Sequence, residues 1–575
     1  MIQVENLSYG FPSKDLYRKI SFTLEPGQHC AFIGSNGTGK TTLVDMIMDP
    51  EKYLYDGKII KAEECRIGYV NQFSKAEKDL EQTVFDFLSQ CFVENQAETA
   101  RICDEMAVAE DLEPLLEQYQ VLMDLFTAMD GDHYESNIKK QLHLVSMTNR
   151  ETTTLSALSG GEYKLLQVMK EMLRQPNLLI MDEPDVFLDF ENLSGLCKLI
   201  NSYKGTLLVI THNRYLLHHC FHKILHLENA DLQEFDGSYT EYNYALLQKK
   251  IELQEIVAEE QAEIARAEKM VERLRAEATR ASIASLGRTV HAKQTYLDRL
   301  KARAIKEPFV NLRTPNIKLP AVETADPQTL LHVSDYRVAF DEIILENVSF
   351  EIKAGEKVAL VGGNGTGKTT LLRDIYKNAH PSITIEETAN VGFLSQLHGE
   401  MLDESKTVYE EFEPLGFDKK EELAEYLKDY CFDEETLSQK IGSLSGGEQN
   451  LLQLAKISVS NANLLLLDEP TSHLDTYAQI ALEKAIKEYQ GTVLMVSHDF
   501  YHIVNCADYI LMVDENSMRP VRIRTFRKKI YENHFPKDYL EKEQHKKELE
   551  TRINACLKAK DYQTAKKLCE ELMKS

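Results

Sequence analysis

The chain lacks several features that would each open a broad class of functions. It has no uninterrupted apolar run of about 18 residues, the length a bilayer-spanning helix needs, so no part of it reads as a membrane domain. Strand-like residues begin at Ile2, so no secretory leader is expected. Its ten cysteines form no C-x-x-C pair and no zinc-type spacing, so reduced thiols and a cytoplasmic setting are expected, with neither disulfides nor a metal site. Positive charge is also scarce: 66 Lys and Arg stand against 92 Asp and Glu, giving a net charge of −26 and a pI near 5.2. That balance argues against a general nucleic-acid coat, although a concentrated basic patch could still meet phosphates.

What is present is 575 residues, 43% of them hydrophobic, too long a chain for one core and therefore two or more domains. The stretch from Tyr239 to Pro308 resembles neither side of itself. Leu246, Leu253, Glu260, Ala267 and Leu274 recur every seven residues, interleaved with Val257, Ile264 and Val271, which predicts a helix of about 40 residues with one narrow apolar seam. A second seam follows at Val290, Leu297, Leu300 and Ala304. The pattern breaks between Ala281 and Gly287, so two antiparallel helices folding back at that point are expected. From Lys269 to Lys306 ten Lys and Arg face only Glu272, Glu277 and Asp298, so this acidic protein carries a basic hairpin.

Around that hairpin the chain repeats itself. Ala31-Phe32-Ile33 reads as a buried strand running into Gly34-Ser35-Asn36-Gly37-Thr38-Gly39-Lys40-Thr41-Thr42, a full G-x-x-x-x-G-K-[ST] phosphate loop; Gly362-Gly363-Asn364-Gly365-Thr366-Gly367-Lys368-Thr369-Thr370 is its second copy. The glycines let backbone N–H groups converge on phosphate oxygens, Lys40 and Lys368 reach the β and γ phosphates, and the Thr41 and Thr369 hydroxyls are placed for Mg2+. Each half then carries Leu-Ser-Gly-Gly-Glu (Leu158 to Glu162, Leu444 to Glu448), an apolar strand ending in Asp-Glu-Pro (Asp182-Glu183-Pro184, Asp468-Glu469-Pro470) and a strand ending in His212 or His498. The first half holds 42 more residues ahead of its Ser-Gly-Gly, within an acidic helical stretch around Val93 to Asp132 that is expected to pack on its own domain.

This order of motifs resembles the ATP-binding cassette ATPases, with Leu-Ser-Gly-Gly-Glu as the discriminating run. The resemblance implies two α/β phosphate-loop ATPase domains, each with a helical subdomain, closing head to tail with ATP and Mg2+ between them. One site would set Lys40, Thr41, Gln72, Asp182, Glu183 and His212 against Ser445, Gly446 and Gly447. The other would set Lys368, Thr369, Gln396, Asp468, Glu469 and His498 against Ser159, Gly160 and Gly161. It further implies Mg2+ held by Asp182 and Asp468 with Thr41, Thr369, Gln72 and Gln396, water polarised by Glu183 and Glu469, the γ-phosphate touched by His212 and His498, and adenine stacked on Phe11 and Phe340; strand-edge packing suits those two rings as well. After its Asp-Glu-Pro the first half reads Asp185-Val186-Phe187-Leu188-Asp189 where the second reads Thr471-Ser472-His473-Leu474-Asp475, so two competent sites are expected, the first being the one in doubt, and whether they turn over equally is open.

Twin cassettes joined by a long charged helical pair after Phe235-Asp236-Gly237-Ser238-Tyr239 are similar to the ABC-F proteins, whose hairpin enters the vacant tRNA exit site of a ribosome. The expected organisation is therefore a first cassette at 1–238, with an extended acidic subdomain at about 93–145, a linker hairpin at 239–308, a second cassette at 309–530 and a short C-terminal helical hairpin at 531–575. The tail's partner is open: RNA, protein or its own body. The resemblance implies a monomer on the ribosome, meeting rRNA and P-site tRNA through Arg280, Arg288, His291 and Lys293, with no membrane partner. The short bend favours a general translation role over antibiotic resistance. Rival readings are the ATPase component of a transporter, a nucleic-acid remodelling or genome-maintenance ATPase, and a non-enzymatic scaffold.

Overall fold

The computed structural model describes residues 2–11, 14–62, 65–71, 81–109, 111–186, 188–281, 284–303, 314–322, 328–339, 343–514, 516–534 and 539–574; the side chains of 14, 276–281, 284–289, 300–303, 531–534, 539–544, 547 and 574 also lie outside the description. Two compact units form: Met1–Asp236 with Arg313–His534, and Gly237–Leu312 with Phe535–Ser575.

The first unit holds the two cassettes, and their sheets have one plan. In the first, six strands lie in the order Ile67–Val70, Leu178–Asp182, Thr206–Ile210, His29–Ile33, Lys223–Glu228, Asp231–Asp236. In the second the order is Val391–Leu394, Leu464–Asp468, Thr492–Val496, Lys357–Val361, Tyr509–Asp514, Ser517–Arg522. All neighbours are parallel except the last pair of each sheet. Strands covered on both faces have no polar side to show, which is why Leu178–Asp182 and Leu464–Asp468 read as unbroken apolar runs and are buried throughout. Their last residue is the exception, an aspartate carried to the carboxyl edge of the sheet, where the phosphate-loop strand also ends. A three-stranded antiparallel sheet packs beside each: Lys14–Leu24, Ile2–Phe11, Asp56–Lys61 in the first half and Ile343–Lys353, Thr329–Ala339, Ile383–Ile385 in the second.

The length difference between the halves is a helical insertion. Val84–Met106 buries Val84, Leu88, Phe92 and Ile102, and Glu113–Ala128 returns alongside it without one buried residue; the second half has only Val408–Phe412 and Lys420–Lys428 in the corresponding stretch. The expected packing of this acidic segment on its own domain therefore holds for the first helix. The second leaves Leu116 and Val121 half or more exposed.

In the second unit Tyr239–Ala281 runs 43 residues, about 65 Å of helix, and the chain returns in Ala284–Arg303. The two are antiparallel: the Tyr296 hydroxyl donates to Glu263 Oε1 (2.7 Å), Arg275 Nη2 donates to Gln294 Oε1 (2.8 Å), and Val271 and Leu297 are buried in the seam. The C-terminal helices Tyr539–Lys558 and Tyr562–Lys574 pack on the start of the long helix. Tyr244 and Ile251 join Leu549, Ile553, Ala565, Leu568, Cys569 and Leu572 in one buried cluster, and Lys566 pairs with Glu255. Of the partners left open for the tail, the linker helix of the same chain is the one in contact. Ile251→Ala or Ile553→Ala, each emptying a fully buried place, should cost about 2–4 kcal/mol and remove hydrogen-exchange protection from Tyr562–Lys574. Unchanged protection would show that these helices are held by something else.

Candidate active sites

Each phosphate-loop helix starts at its lysine. Gly39 and Gly367, the residues before Lys40–Met48 and Lys368–Lys377, sit at φ of 97° and 81°, a turn that favours glycine. The lysines fold back over the loop: Lys40 Nζ donates to the carbonyls of Gly34 (2.9 Å) and Ser35 (3.0 Å), and Lys368 Nζ to those of Gly362 (2.9 Å) and Gly363 (2.5 Å). Both lysines are buried, which lowers their pKa while nearby carboxylates oppose the shift. Thr41 Oγ1 donates to Asp182 Oδ2 (2.9 Å) and Thr369 Oγ1 to Asp468 Oδ1 (3.0 Å), so in each half the loop's threonine touches the aspartate of the central strand.

The glutamates that follow those aspartates adopt the left-handed backbone region, Glu183 at φ 46° and Glu469 at φ 48°. Such residues persist only where the surroundings hold them. Here the N–H of Glu183 donates to Ile210 O (2.9 Å) and that of Glu469 to Val496 O (3.0 Å), the last residues of the neighbouring strands. The histidines come two residues later on those same chains. His498 donates its backbone N–H to Glu469 Oε2 (3.2 Å), and its Nε2 stands 3.5 Å from Oε1. His212 Nε2 is buried without a hydrogen-bond partner among the described residues.

The Leu-Ser-Gly-Gly-Glu runs open the helices Gly160–Leu173 and Gly446–Ser458. Ser159 Oγ accepts from the N–H of Glu162 (3.2 Å) while Glu162 Oε2 accepts from the N–H of Ser159 (2.9 Å), and Ser445 and Glu448 do the same at 3.4 and 2.8 Å. The fifth letter of the run is thus a capping-box glutamate that fixes the serine and leaves the glycine N–H groups at an open helix end.

These helix ends face the opposite half. Asn36 Nδ2 donates to the carbonyl of His473 (2.7 Å), and the N–H of Asn36 and of Asn364 each lie 3.3 Å from Asp475 Oδ2 and Asp189 Oδ2 of the other cassette. Gly447 has to be glycine, because a Cβ there would run into the Asn36 amide and the His473 carbonyl; at Gly161 it would lie 3.3 Å from Asn364 Nδ2. A cavity of about 380 Å3 between the halves is lined by Lys368, Thr369, Gln396, Glu469 and His498 from one side and by Gly160 and Gly161 from the other. Glu183, His212 and His473 line the same cavity, so groups expected at both sites meet there. Phe11 ends its strand 54% exposed, with Tyr9 edge-on at 5.8 Å. Gln72 and Phe340 lie outside the described residues.

The two carboxylate pairs differ. Burial, then the neighbouring glutamate, pushes Asp182 and Asp468 up to about 6. Burial also drives Glu469 up to about 7, with Lys368 opposing. For Glu183 burial is outweighed by His473, His212 and Lys40, and its carboxyl lies below the ordinary range. Three side chains were not picked out from sequence. Asp185, where the second half has Thr471, is half-buried, accepts from Thr211 Oγ1 (2.6 Å) and is pushed up to about 7 by desolvation. His473 puts Nδ1 3.7 Å from Glu183 Oε2. Arg214 reaches across to Glu483 (2.5 Å) and Asp499 (2.8 Å). Asp185 and His473 stand in the short run where the halves visibly differ, and that difference was their available signal.

Comparison with known proteins gives the same reading of the duplication. A family model described as ABC transporter matches residues 17–186 and 345–472, over half the chain. The chain belongs to the ATP-binding cassette family. A second ABC transporter model matches residues 225–313, the linker hairpin with its approaches. This ABC protein is 30% identical over 523 residues to the protein YdiF of Bacillus subtilis, across 89% of this chain and 79% of that one. It is 28% identical over 514 residues to the energy-dependent translational throttle protein EttA of Escherichia coli K12, across 87% and 89%. Its fold is similar to ABCE1 in a solved structure of ribosome-bound archaeal Pelota and ABCE1, with a TM-score of 0.55, 17% identity, and 91% and 79% of the two chains covered. Among the described residues no helix is long and apolar enough to cross a membrane.

ABC ATPases bind ATP with Mg2+ and hydrolyse it, and the residues here fit that pair. Asp468 Oδ1 accepts from the Thr369 hydroxyl, and its Oδ2 is buried without a hydrogen-bond partner among the described residues, a hard-oxygen corner suited to a divalent cation. A carboxyl held near 6 binds a metal only after losing its proton. Apparent Mg2+ affinity in the presence of ATP should therefore be constant above about pH 7 and fall up to about tenfold per pH unit below 6. Magnesium titrations followed with a fluorescent ATP analogue between pH 5 and 8 would measure it; a flat profile would contradict the assignment of Asp182 and Asp468 as ligands.

Proposed function

We propose that this chain is an ATPase of the ABC-F type that binds the ribosome when ATP closes its two halves and acts on P-site tRNA or the peptidyl-transferase centre through the linker hairpin. One observation carries the reading. Twin cassettes are joined by an antiparallel pair with a 43-residue helix, in a region that itself matches an ABC transporter family model, and no described helix could cross a membrane. The similarity to EttA, named a translational throttle, extends over 87% of the chain and so includes that linker. The basic excess of the hairpin suits RNA phosphates, which an acidic body would otherwise repel. His291 is exposed and Lys293 half-buried on the return helix; the side chains of Arg280 and Arg288 lie outside the described residues.

In this reading each site is assembled from both halves. Lys40 and Lys368, with the glycine N–H groups of the facing signature helix, neutralise charge developing on the γ-phosphate. Asp182 and Asp468, with Thr41 and Thr369, hold the Mg2+, which supplies further charge stabilisation. Glu183 and Glu469 orient and polarise the attacking water, and His212 and His498 contact the γ-phosphate. Little covalent work falls to the protein; positioning and charge placement do most of it. Hydrolysis removes the γ-phosphate bridge between the halves and releases the ribosome.

The double variant Glu183→Gln, Glu469→Gln keeps shape and ATP binding while removing the carboxylates, so with ATP it should sediment with ribosomes where the unaltered protein largely does not. A variant found in the supernatant with and without ATP would contradict the translation reading, and recovery with membranes would favour a transporter role in its place.

A further inference from the structure

After the apolar strand Leu464–Asp468 and Glu469, the second half's chain turns through Pro470-Thr471-Ser472-His473-Leu474-Asp475, and its histidine is aimed out of its own cassette. His473 Nδ1 lies 3.7 Å from Glu183 Oε2 of the first half, with side-chain exposures of 13% and 17%. The contact is built. His473 holds a left-handed φ of 60°, its carbonyl accepts from Asn36 Nδ2 (2.7 Å), and its ring backs onto Gly446, where a Cβ would approach the ring Cγ to 3.2 Å. The preceding Ser472 is tied down by its N–H to Glu469 O (3.0 Å) and by Asn450 Nδ2, which donates to its carbonyl (2.9 Å).

The other glutamate has a different neighbourhood. Glu469 finds its imidazole within its own half, at His498. In the first half's run the residue in the place of His473 is Phe187, which lies outside the described residues and whose side chain has no proton to donate. The departure of the first half from the Thr-Ser-His-Leu-Asp pattern therefore has two sides: Asp185 stays on Thr211 of its own half, while Phe187 stands in the run where the second half has the histidine that reaches across.

We infer that His473 is a positioning residue supplied in trans to the Glu183 site, orienting that carboxylate for the attacking water, and that the Glu469 site works without such a partner. This rests on the reading of Glu183 and Glu469 as the water-polarising groups. A ring N–H donated to one carboxylate oxygen fixes the side-chain rotamer and leaves the second oxygen for water. The 3.7 Å separation is long for such a bond, as hydrogen bonds of catalytic groups often are before nucleotide closes a site. On this inference the first half's altered loop bears on the site across from it, whereas the sequence placed the doubt on the first half's own site.

The test measures hydrolysis of radiolabelled ATP in single-turnover mode, with protein in excess, so that each site is read separately. Glu469→Gln leaves the Glu183 site, and Glu183→Gln leaves the Glu469 site. His473→Phe should slow the Glu469→Gln protein about tenfold or more, at least fivefold more than it slows the Glu183→Gln protein. His473→Asn, which keeps a donor near the Nδ1 position, should restore most of the rate, and filter binding of ATP should change less than twofold in all of them. Equal slowing in both backgrounds, or none in either, would overturn the inference. So would a phenylalanine and an asparagine that behave alike. Were the Glu183→Gln, Glu469→Gln protein to hydrolyse as fast as Glu469→Gln alone, the role given to Glu183 would fall first, an outcome distinct from any result at position 473.

Discussion

Each phosphate loop offers one backbone N–H to an aspartate of the other cassette, Asn36 to Asp475 and Asn364 to Asp189, both at 3.3 Å. The same aspartates cap helices in their own halves: Asp475 Oδ1 accepts from the N–H groups of Tyr477 (3.1 Å) and Ala478 (2.9 Å), and Asp189 Oδ1 from that of Asn192 (3.0 Å). One carboxylate thus fixes the end of a helix with one oxygen and reaches the opposite phosphate loop with the other. From this reciprocal contact the remaining geometry follows. It leaves no room for a side chain at Gly447, brings the open helix ends at Gly160 and Gly446 towards the facing lysines, and delivers the 470–475 loop to Glu183. The cavity that holds Lys368 and Glu469 is therefore walled by both cassettes.

The joint is not symmetric. Arg214, directly after the histidine loop of the first half, is buried between Glu483 and Asp499 of the second, with its guanidinium 5.0 Å from the Tyr501 ring centroid. The second half has Phe500 at that place, packed near Phe190 of the first. A buried guanidinium is tolerated because two carboxylates and a ring receive it, and stripping one partner from such a group costs about 3–5 kcal/mol. Because Arg214 lies two residues after His212 and Asp499 one after His498, this pairing ties the two histidine loops to each other. The runs that hold His473 and Phe187 likewise differ in sequence at the same place.

Much of this was legible in the sequence because it depends on local pattern. The phosphate loops, the apolar strands ending in Asp-Glu, the Leu-Ser-Gly-Gly-Glu runs and the seven-residue seam of the linker each combine residue type with a spacing that one element imposes. The 42-residue excess located the insertion, although not that Glu113–Ala128 would lie on the outside of Val84–Met106. What stayed hidden involves distant partners. Nothing near His473 in the chain says that its target is Glu183, 290 positions away. The left-handed backbone at both glutamates is enforced by neighbouring strands, and the glutamate of the signature run reads as part of a nucleotide motif until its capping bonds are seen. The C-terminal pair showed its amphipathic spacing but not its partner, since an apolar stripe does not name the surface that covers it.

The most direct measurement is a structure of the Glu183→Gln, Glu469→Gln protein with Mg2+ and ATP, read as the distance from each γ-phosphate to the signature serine of the opposite half. The account predicts that Ser445 and the N–H groups of Gly446 and Gly447 reach the nucleotide held by Lys40 at about 3 Å, with Ser159, Gly160 and Gly161 doing the same for the nucleotide held by Lys368. Nucleotides contacted only by the half that carries their lysine would contradict it.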